Sequence, residues 1–477
     1  MQREELIVLV NMIKEYNCEM QEVEVKAAEK GCPLRLYDTL SSFSNQDSGG
    51  VIVFGLAEDR NFATVGVYDA QDLQKKVTEQ CKQMEPLVRP LFTVASIDNK
   101  TVVAAEIPGL DINDRPAFYK GIGRIKGSYI RVGESDEHMS EYEIYSYEAY
   151  RRKTSDELRA LENSDFTEIN QDEITLFLAK LRSKKPNLTA LTEQKNLALS
   201  GVFAGDKLTL GGLMLFGLYP QALFPQFCIT AVVVPGYNIG DIGEDDERFT
   251  DNRRIEGTIP QMIEGALAFI ARNMAEKTII NSYGRRADKT EYPLKAIREI
   301  ILNAVIHRDY SMYTESSPVR IMMFKDRIEV ENPGGLYGRI TLNNLGKVGA
   351  DTRNPYIAAN LEIMIGTENR FSGIPTIFNE MEKARLPAPV FASSRGAFKV
   401  TLYNGKMAEN GGSGASVSEK ILMYCQSPRS RAELAQFTGF SRYYTMAKIV
   451  QPLLEAKQLR LTLPEKPKSS KQMYVKA

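Results

Sequence analysis

Histidine is nearly missing from this chain. Only His138 and His307 occur among 477 residues, which excludes a metal centre built on several imidazoles. Cysteine is sparse: Cys18, Cys32, Cys81, Cys228 and Cys425 are odd in number, scattered, and form no C-x-x-C pair. That argues against a disulfide framework and a structural zinc site, and it suits a reducing, cytoplasmic setting. An excess of one charge is also lacking. The 60 Lys and Arg against 61 Asp and Glu leave a formal net charge of −1. No whole-chain field draws the protein to nucleic acid or to a membrane, so any nucleic-acid surface must be local.

Long apolar runs are missing too. Residues 208–240 carry no charge, but Pro220, Gln221, Pro225, Gln226 and Pro235 divide them into pieces too short to span a bilayer. The segment is predicted to form two buried strands joined by a turn, and no membrane contact is expected. The first residues, MQREELIVLVNMIKEYNCEM, read as an amphipathic helix with early acidic residues, unlike a signal peptide. There is no G-x-x-x-x-G-K-[ST] sequence, so a P-loop motor, and with it a helicase, is not expected. No internal repeat is visible.

What is present is ordinary globular composition, 43% apolar and 25% charged, at a length that predicts about three or four domains. Residues 1–150 alternate helical patterns with short apolar strands at 23–26, 51–55, 102–107 and 127–133, an α+β domain. Residues 151–285 read as a helical connector followed by strands leading into the next domain. Residues 286–405 open with Pro293, suited to a helix start, and continue through apolar residues at helical spacing: Leu294, Ile297, Ile300, Ile301, Ala304 and Val305. Residues 406–416 contain GGSGAS, a flexible linker by composition. Residues 417–477 carry eleven Lys or Arg against four Glu, a balance of +7.

The first chemical constellation lies in REIILNAVIHRDY, residues 298–310. Glu299, Asn303 and His307 are four apart and share one helix face. A carboxylate beside an amide suits a magnesium-bound triphosphate: the amide oxygen can ligate the hard cation while the carboxylate orients or deprotonates water. On its own such a row is more often a solvated helix face. Three later blocks add weight: DRIEVENPGGL at 326–336, ENRFSGI at 368–374 and GAFKVTL at 396–402, with Arg353-Asn354-Pro355 between them.

Together these blocks resemble the divergent ATPase domain of the RecG-related ATP-binding transcriptional regulators, a branch of the GHKL fold. The likeness spans about residues 292–402. It implies an α/β sandwich that binds ATP and Mg2+. Glu299 falls at the catalytic-base position, Asn303 at the magnesium ligand, and Asn332 where the fold places an adenine-binding Asp. Gly334 and Gly335 form the glycine bend, although a plain turn after a strand has the same composition. Gly373 falls in the phosphate-facing loop. Arg353 and Arg370 meet phosphate or pair with carboxylates; both readings stay open. An amide at 332 accepts a hydrogen bond from the adenine amino group but carries no charge, so binding is expected ahead of rapid turnover. The resemblance also implies a homodimer.

The N-terminal residues carry a second likeness. Glu19, Glu24 and Lys26, then Phe43-Ser44-Asn45, Gly49-Gly50, Gly55 and GSYIRVGESD at 127–136 resemble the Schlafen AlbA-type domain. Nuclease members hold divalent metal with carboxylates. Here Glu19 and Glu24 take two of those positions and Glu58 or Asp59 a third, while Ala57 replaces a frequent Asp. Lys26 touches phosphate or pairs with Glu24. A solvated strand face with a salt bridge, and nucleic-acid binding without cleavage, are the competing readings.

At the C-terminus, helical patterns at 417–424, 430–435 and 442–457 with a basic tail read as a winged helix-turn-helix, Ser430 capping the second helix. Arg442, Tyr443, Tyr444 and Lys448 would face a DNA groove. Such modules also dock proteins. The functional expectation is an ATP-binding, DNA-binding transcriptional regulator. The alternative is a metal-dependent Schlafen-like nuclease acting on RNA or DNA, with antiviral defence as one setting and the ATPase domain as sensor.

Overall fold

The structure is a computed structural model. It describes residues 1–162, 169–280, 286–349, 351–366, 373–394, 396–405, 417–438, 445–462 and 472–477. The chain divides into two compact units, one comprising Met1–Arg151 with Gly414–Ala477, the other Arg152–Ser413.

The first unit is built on a four-stranded sheet. Its order is Val23–Lys26, Gly50–Phe54, Lys100–Ile107, Leu91–Ile97. The first pair is parallel and the others antiparallel. Side chains alternate across the sheet, so each strand feeds two cores. Val23, Val25, Val53, Val102 and Ala104 pack with Leu6, Val10 and Ile13 of helix Arg3–Tyr16. Ile52, Phe54, Val103 and Ala105 pack with helices Tyr37–Ser44 and Ala70–Cys81 through Leu40, Phe43, Leu73 and Val77. Gly50 is required: a Cβ there would lie 2.4 Å from the Phe43 ring. Asn45, at the end of Tyr37–Ser44, ties the helix to the rest of the domain. Its oxygen accepts from the Ala117 N–H at 2.7 Å and its amide donates to the Ala117 and Tyr129 carbonyls.

The C-terminal part of this unit runs helix Val417–Tyr424, strand Arg429–Ser430, helix Arg431–Thr438, helical turns Thr445–Val450 and Gln451–Glu455, then strands Leu459–Leu461 and Met473–Lys476. The strands form one antiparallel sheet with Met473–Lys476 in the middle. Ile421, Leu434, Val450, Leu453 and Tyr474 fill its core. The expected Ser430 cap forms: Glu433 N–H donates to Ser430 Oγ, and the Glu433 carboxylate accepts from Ser430 N–H.

The second unit carries a six-stranded sheet in the order Asp251–Ile255, Ile229–Val233, Val319–Met323, Arg327–Pro333, Ala397–Tyr403, Val390–Ser394. Only Ile229–Val233 and Val319–Met323 run parallel. Helices Ile259–Asn273, Leu294–Ile306 and Gly373–Lys383 pack around one core with it. Strands 229–233 and 251–255 join the strands that follow residue 285 in one sheet. One sequence expectation changes. The uncharged stretch 208–240 holds one strand and a helix, Leu210–Phe216, not two strands. All seven residues of that helix are buried. Total burial erases the apolar alternation that distinguishes helix from strand, and Thr209 caps the helix by accepting from Gly212 N–H at 2.9 Å.

Glu157 is fully buried and accepts from the Tyr356 and Ile357 N–H groups at 2.9 and 2.7 Å. It thereby satisfies two of the free donors at the start of helix Pro355–Ile365, as a capping carboxylate does.

Candidate functional site

Helix Leu294–Ile306 begins after Pro293 and buries Ile297, Ile300, Ile301, Ala304 and Val305. Its other face, carrying Glu299, Asn303 and the C-cap residue His307, lines a cavity of 380 Å³. Asn332, Gly334, Gly335 and Gly373 line the same cavity. The structure therefore brings together seven residues that the sequence singles out across 75 positions. Arg370 lies outside the described residues.

Helix Gly373–Lys383 starts directly against the polar row. A Cβ on Gly373 would stand 3.0 Å from Glu299 Oε2 and 3.3 Å from Asn303 Nδ2, so a larger residue would crowd both side chains. Asn303 Nδ2 is buried and has no hydrogen-bond partner among the described residues. A buried amide donor without a partner costs about 1–3 kcal/mol, and it is the kind of group a ligand would satisfy.

At the opposite end of the cavity, Gly334 has φ +101°, and a Cβ there would lie 2.7 Å from the Asp309 Cβ. Asp309 N–H donates to the Pro333 carbonyl and Gly334 N–H to the Gly396 carbonyl, both at 2.8 Å. Arg353 settles its two readings in favour of a carboxylate: Nη1 is 2.6 Å from Asp309 Oδ2, and the pair is buried. Arg353 also reaches the Gly335 carbonyl at 3.4 Å and lies over the Tyr337 ring at 4.7 Å. Asn354 donates to the Ile306 and Arg308 carbonyls, both at 2.7 Å. Sequence reasoning gives no role to Asp309, Tyr337 or Asn354. Their only signal is position: Asp309 and Asn354 lie inside the quoted blocks and Tyr337 directly follows one.

Burial, and secondarily the charge of Arg353, pushes the His307 imidazole down to about 4. It is therefore a neutral donor and acceptor near pH 7. Arg308 points away from the cavity, held by the Asp309, Thr314 and Ser317 carbonyls and the Phe227 ring, and burial pushes it down to about 10.

These residues fit a magnesium nucleotide. The volume is within the usual small-molecule range, Asn303 offers an oxygen to a hard cation, and the helix start at Gly373 presents backbone N–H groups to an anion. No Lys or Arg lines the cavity among the described residues, so cation and helix terminus would carry the phosphate charge.

The N-terminal carboxylates are organised differently from the expectation. Glu24 and Glu19 are both buried, but a nearly inaccessible Arg131 stands among them. Its guanidinium is 2.9 Å from Glu24, 3.7 Å from Glu19 and 3.0 Å from Asp136. Asp136, which also accepts from Thr39 and Ser42, adds a carboxylate to the cluster, and the Glu58 charge also reaches Glu19. Glu58 and Asp59 are exposed on the turn Glu58–Arg60, and Asp59 pairs with Arg60. Lys26 pairs with Glu24. Burial, and next the Glu24 charge, pushes Glu19 up to about 8. Among the described residues no group of three or more His, Cys, Asp or Glu is placed to hold a metal ion. A divalent metal does not fit the residues as placed, because Arg131 and Lys26 already pair with Glu24 and Arg131 with Asp136.

Of the C-terminal candidates, Arg442, Tyr443 and Tyr444 lie outside the described residues, as does the Lys448 side chain. Among the described residues no helix is long and apolar enough to cross a membrane.

The second unit thus sets a glycine bend facing a polar helix row across a cavity, and the first holds a four-stranded sheet. Residues 19–140 match the family described as "Schlafen, AlbA_2", and residues 316–402 match "Putative ATP-dependent DNA helicase recG C-terminal". The chain thus carries a Schlafen AlbA_2 domain and an ATPase-like domain at these residues. The second match begins after Asn303, so the helix row is assigned by geometry alone. Among solved structures, the DIP2311 protein from Corynebacterium diphtheriae is 17% identical, with 96% of this chain and 93% of that chain covered and a TM-score of 0.41. The N-terminal domain of a "Putative ATP-dependent DNA Helicase RecG-related Protein" from Nitrosomonas europaea is 24% identical, covering 28% of this chain and 92% of that chain, TM-score 0.23. No curated protein matches the chain.

Proposed function

We propose that the chain is an ATP-binding regulator of transcription, working in the cytoplasm as a homodimer. The carrying observation is the unpartnered Asn303 amide beside Glu299, abutting the start of helix Gly373–Lys383 inside the cavity. In this reading Asn303 Oδ1 holds Mg2+, the helix start binds phosphate, and Glu299 orients or deprotonates water. Bound magnesium would neutralise phosphate charge. His307, Asn332 and the Gly334–Gly335 bend enclose the base. ATP then favours one domain arrangement over another by its affinity for it.

DNA binding is assigned to residues 417–477. Support comes from the +7 balance and from the helix–strand–helix–helix–strand–strand order with its three-stranded sheet, which is the order of a winged helix. A metal-dependent nuclease is the weaker reading, since Arg131 occupies the centre of the carboxylates.

Calorimetric titration of the full chain with ATP, with and without Mg2+, tests the site. Micromolar, magnesium-dependent binding is expected, and Asn303→Ala should weaken it at least about tenfold, the loss of one charge-assisted contact. Binding unchanged in Asn303→Ala would remove the proposal.

A further inference from the structure

The cavity has two chemically distinct ends. Glu299 and His307 are separated by eight helical positions, about 12 Å along the axis. At the Glu299 end, helix Gly373–Lys383 begins, and helix starts favour anions. At the His307 end the wall is the strand Arg327–Pro333 and its glycine bend. The proposed nucleotide therefore places phosphates at the first end and its base at the second.

The polar groups that meet the base follow from strand alternation. Val330 and Asn332 line the cavity, as do their ladder partners Val400 and Phe398. Glu329 and Glu331 are on the opposite face of the strand. Glu329 is held by Arg327 and Lys399, and Glu331 by Arg320. Asp309, beneath the bend, is fully buried and bound to Arg353 and to the Ser311 N–H. Asp351, on the cavity wall, is held by Arg339. No strand carboxylate is left to read the base. Beside His307, Tyr337 and Thr352, which also line the cavity, the strand presents the Asn332 carboxamide, 5% exposed, with no side-chain hydrogen bond fixing its orientation among the described residues.

A carboxylate at this position only accepts hydrogen bonds. It suits a 6-amino purine and opposes the acceptor oxygen of a 6-oxo purine. A carboxamide carries both an acceptor and two donors, and a half-turn exchanges them. Rejection of a base depends on leaving a buried polar group unpaired, and a rotating amide avoids that penalty with either purine. We propose that this cavity binds 6-oxo as well as 6-amino purine nucleotides, GTP beside ATP, and that Asn332 is the residue that sets the tolerance. The inference rests on the nucleotide reading above.

The test is displacement of a fluorescent ATP analogue from the full chain by ATP or GTP, in Mg2+, for wild type, Asn332→Asp and Asn332→Ala. Wild type should bind GTP within about tenfold of ATP, the range of one contact. Asn332→Asp should shift the ratio toward ATP by about tenfold or more, because its charge opposes the 6-oxo group. Asn332→Ala should weaken both nucleotides alike. A wild type that binds ATP but excludes GTP by about a hundredfold overturns the inference and leaves the nucleotide site standing. An unchanged ratio in a folded Asn332→Asp, checked by thermal melting, removes Asn332 from the role. Binding of neither nucleotide by wild type sinks the underlying site and this inference together.

Discussion

Arg353 and Asp309 meet at 2.6 Å beneath the glycine bend, the one 5% and the other 0% exposed. They are 44 residues apart in sequence. The pair joins the end of the polar helix to the segment before helix Pro355–Ile365, and Gly334 packs on Asp309. Breaking a buried pair strands the remaining charge, at about 3–5 kcal/mol. Arg353→Ala is therefore expected to lower unfolding stability in urea by that order. Asp309→Leu combined with Arg353→Met should recover part of the loss, because no charge is left buried. A cost for Arg353→Ala below about 1 kcal/mol, typical of surface pairs, would show that the contact is not structural.

The two histidines make one titration easy to follow. The folded-state pKa of His307 is pushed from 6.5 down to about 4. Between these values the unfolded chain binds a proton that the folded chain refuses, so the contribution of His307 to stability is present above about pH 6.5 and is lost as pH falls toward about 4. Proton NMR of the imidazole ring should show one of two signals titrating near pH 4, absent in His307→Gln. A His307 signal titrating near the ordinary value would show that the imidazole is solvated.

Glu19 behaves in the opposite direction. Burial and Glu24 raise its pKa from 4.5 to about 8. The folded chain holds this proton more tightly, so the stability it contributes is full below about pH 4.5 and is lost as pH rises through about 8. Glu19→Gln, which cannot ionise, should gain on wild type across that window, by up to about 1.4 kcal/mol as the pH climbs by one. Denaturation profiles that stay parallel over that window would contradict this assignment.

The parts of the molecule written in local periodicity are legible in the sequence. The helix Leu294–Ile306 follows from apolar residues at a 3.6 spacing, and the strand Arg327–Pro333 with its bend follows from β-branched residues ahead of Asn-Pro-Gly-Gly. The helix Leu210–Phe216 reads as strand because every face of it is buried. The long-range pairings leave no local trace. Arg131 joins Glu24 across 107 positions, and Glu157 caps a helix some 200 residues on. Asp136 sits beside Arg131 only because Tyr129–Val132 and Ser135–His138 pair as a hairpin. The choice between phosphate and carboxylate at Arg353 needs the fold itself.

The strand order of the second unit sets a schedule for synthesis. The N-terminal sheet is complete once residue 107 has emerged, since its strands span 23–107. The six-stranded sheet begins at Ile229, yet Ala397–Tyr403 lies inside it, between Arg327–Pro333 and Val390–Ser394. Until that late segment leaves the ribosome, the hydrogen-bonding edge of Arg327–Pro333 is open to other chains. A stall upstream of residue 397 would hold a nascent chain with its N-terminal sheet paired and a sticky, unclosed sheet behind it.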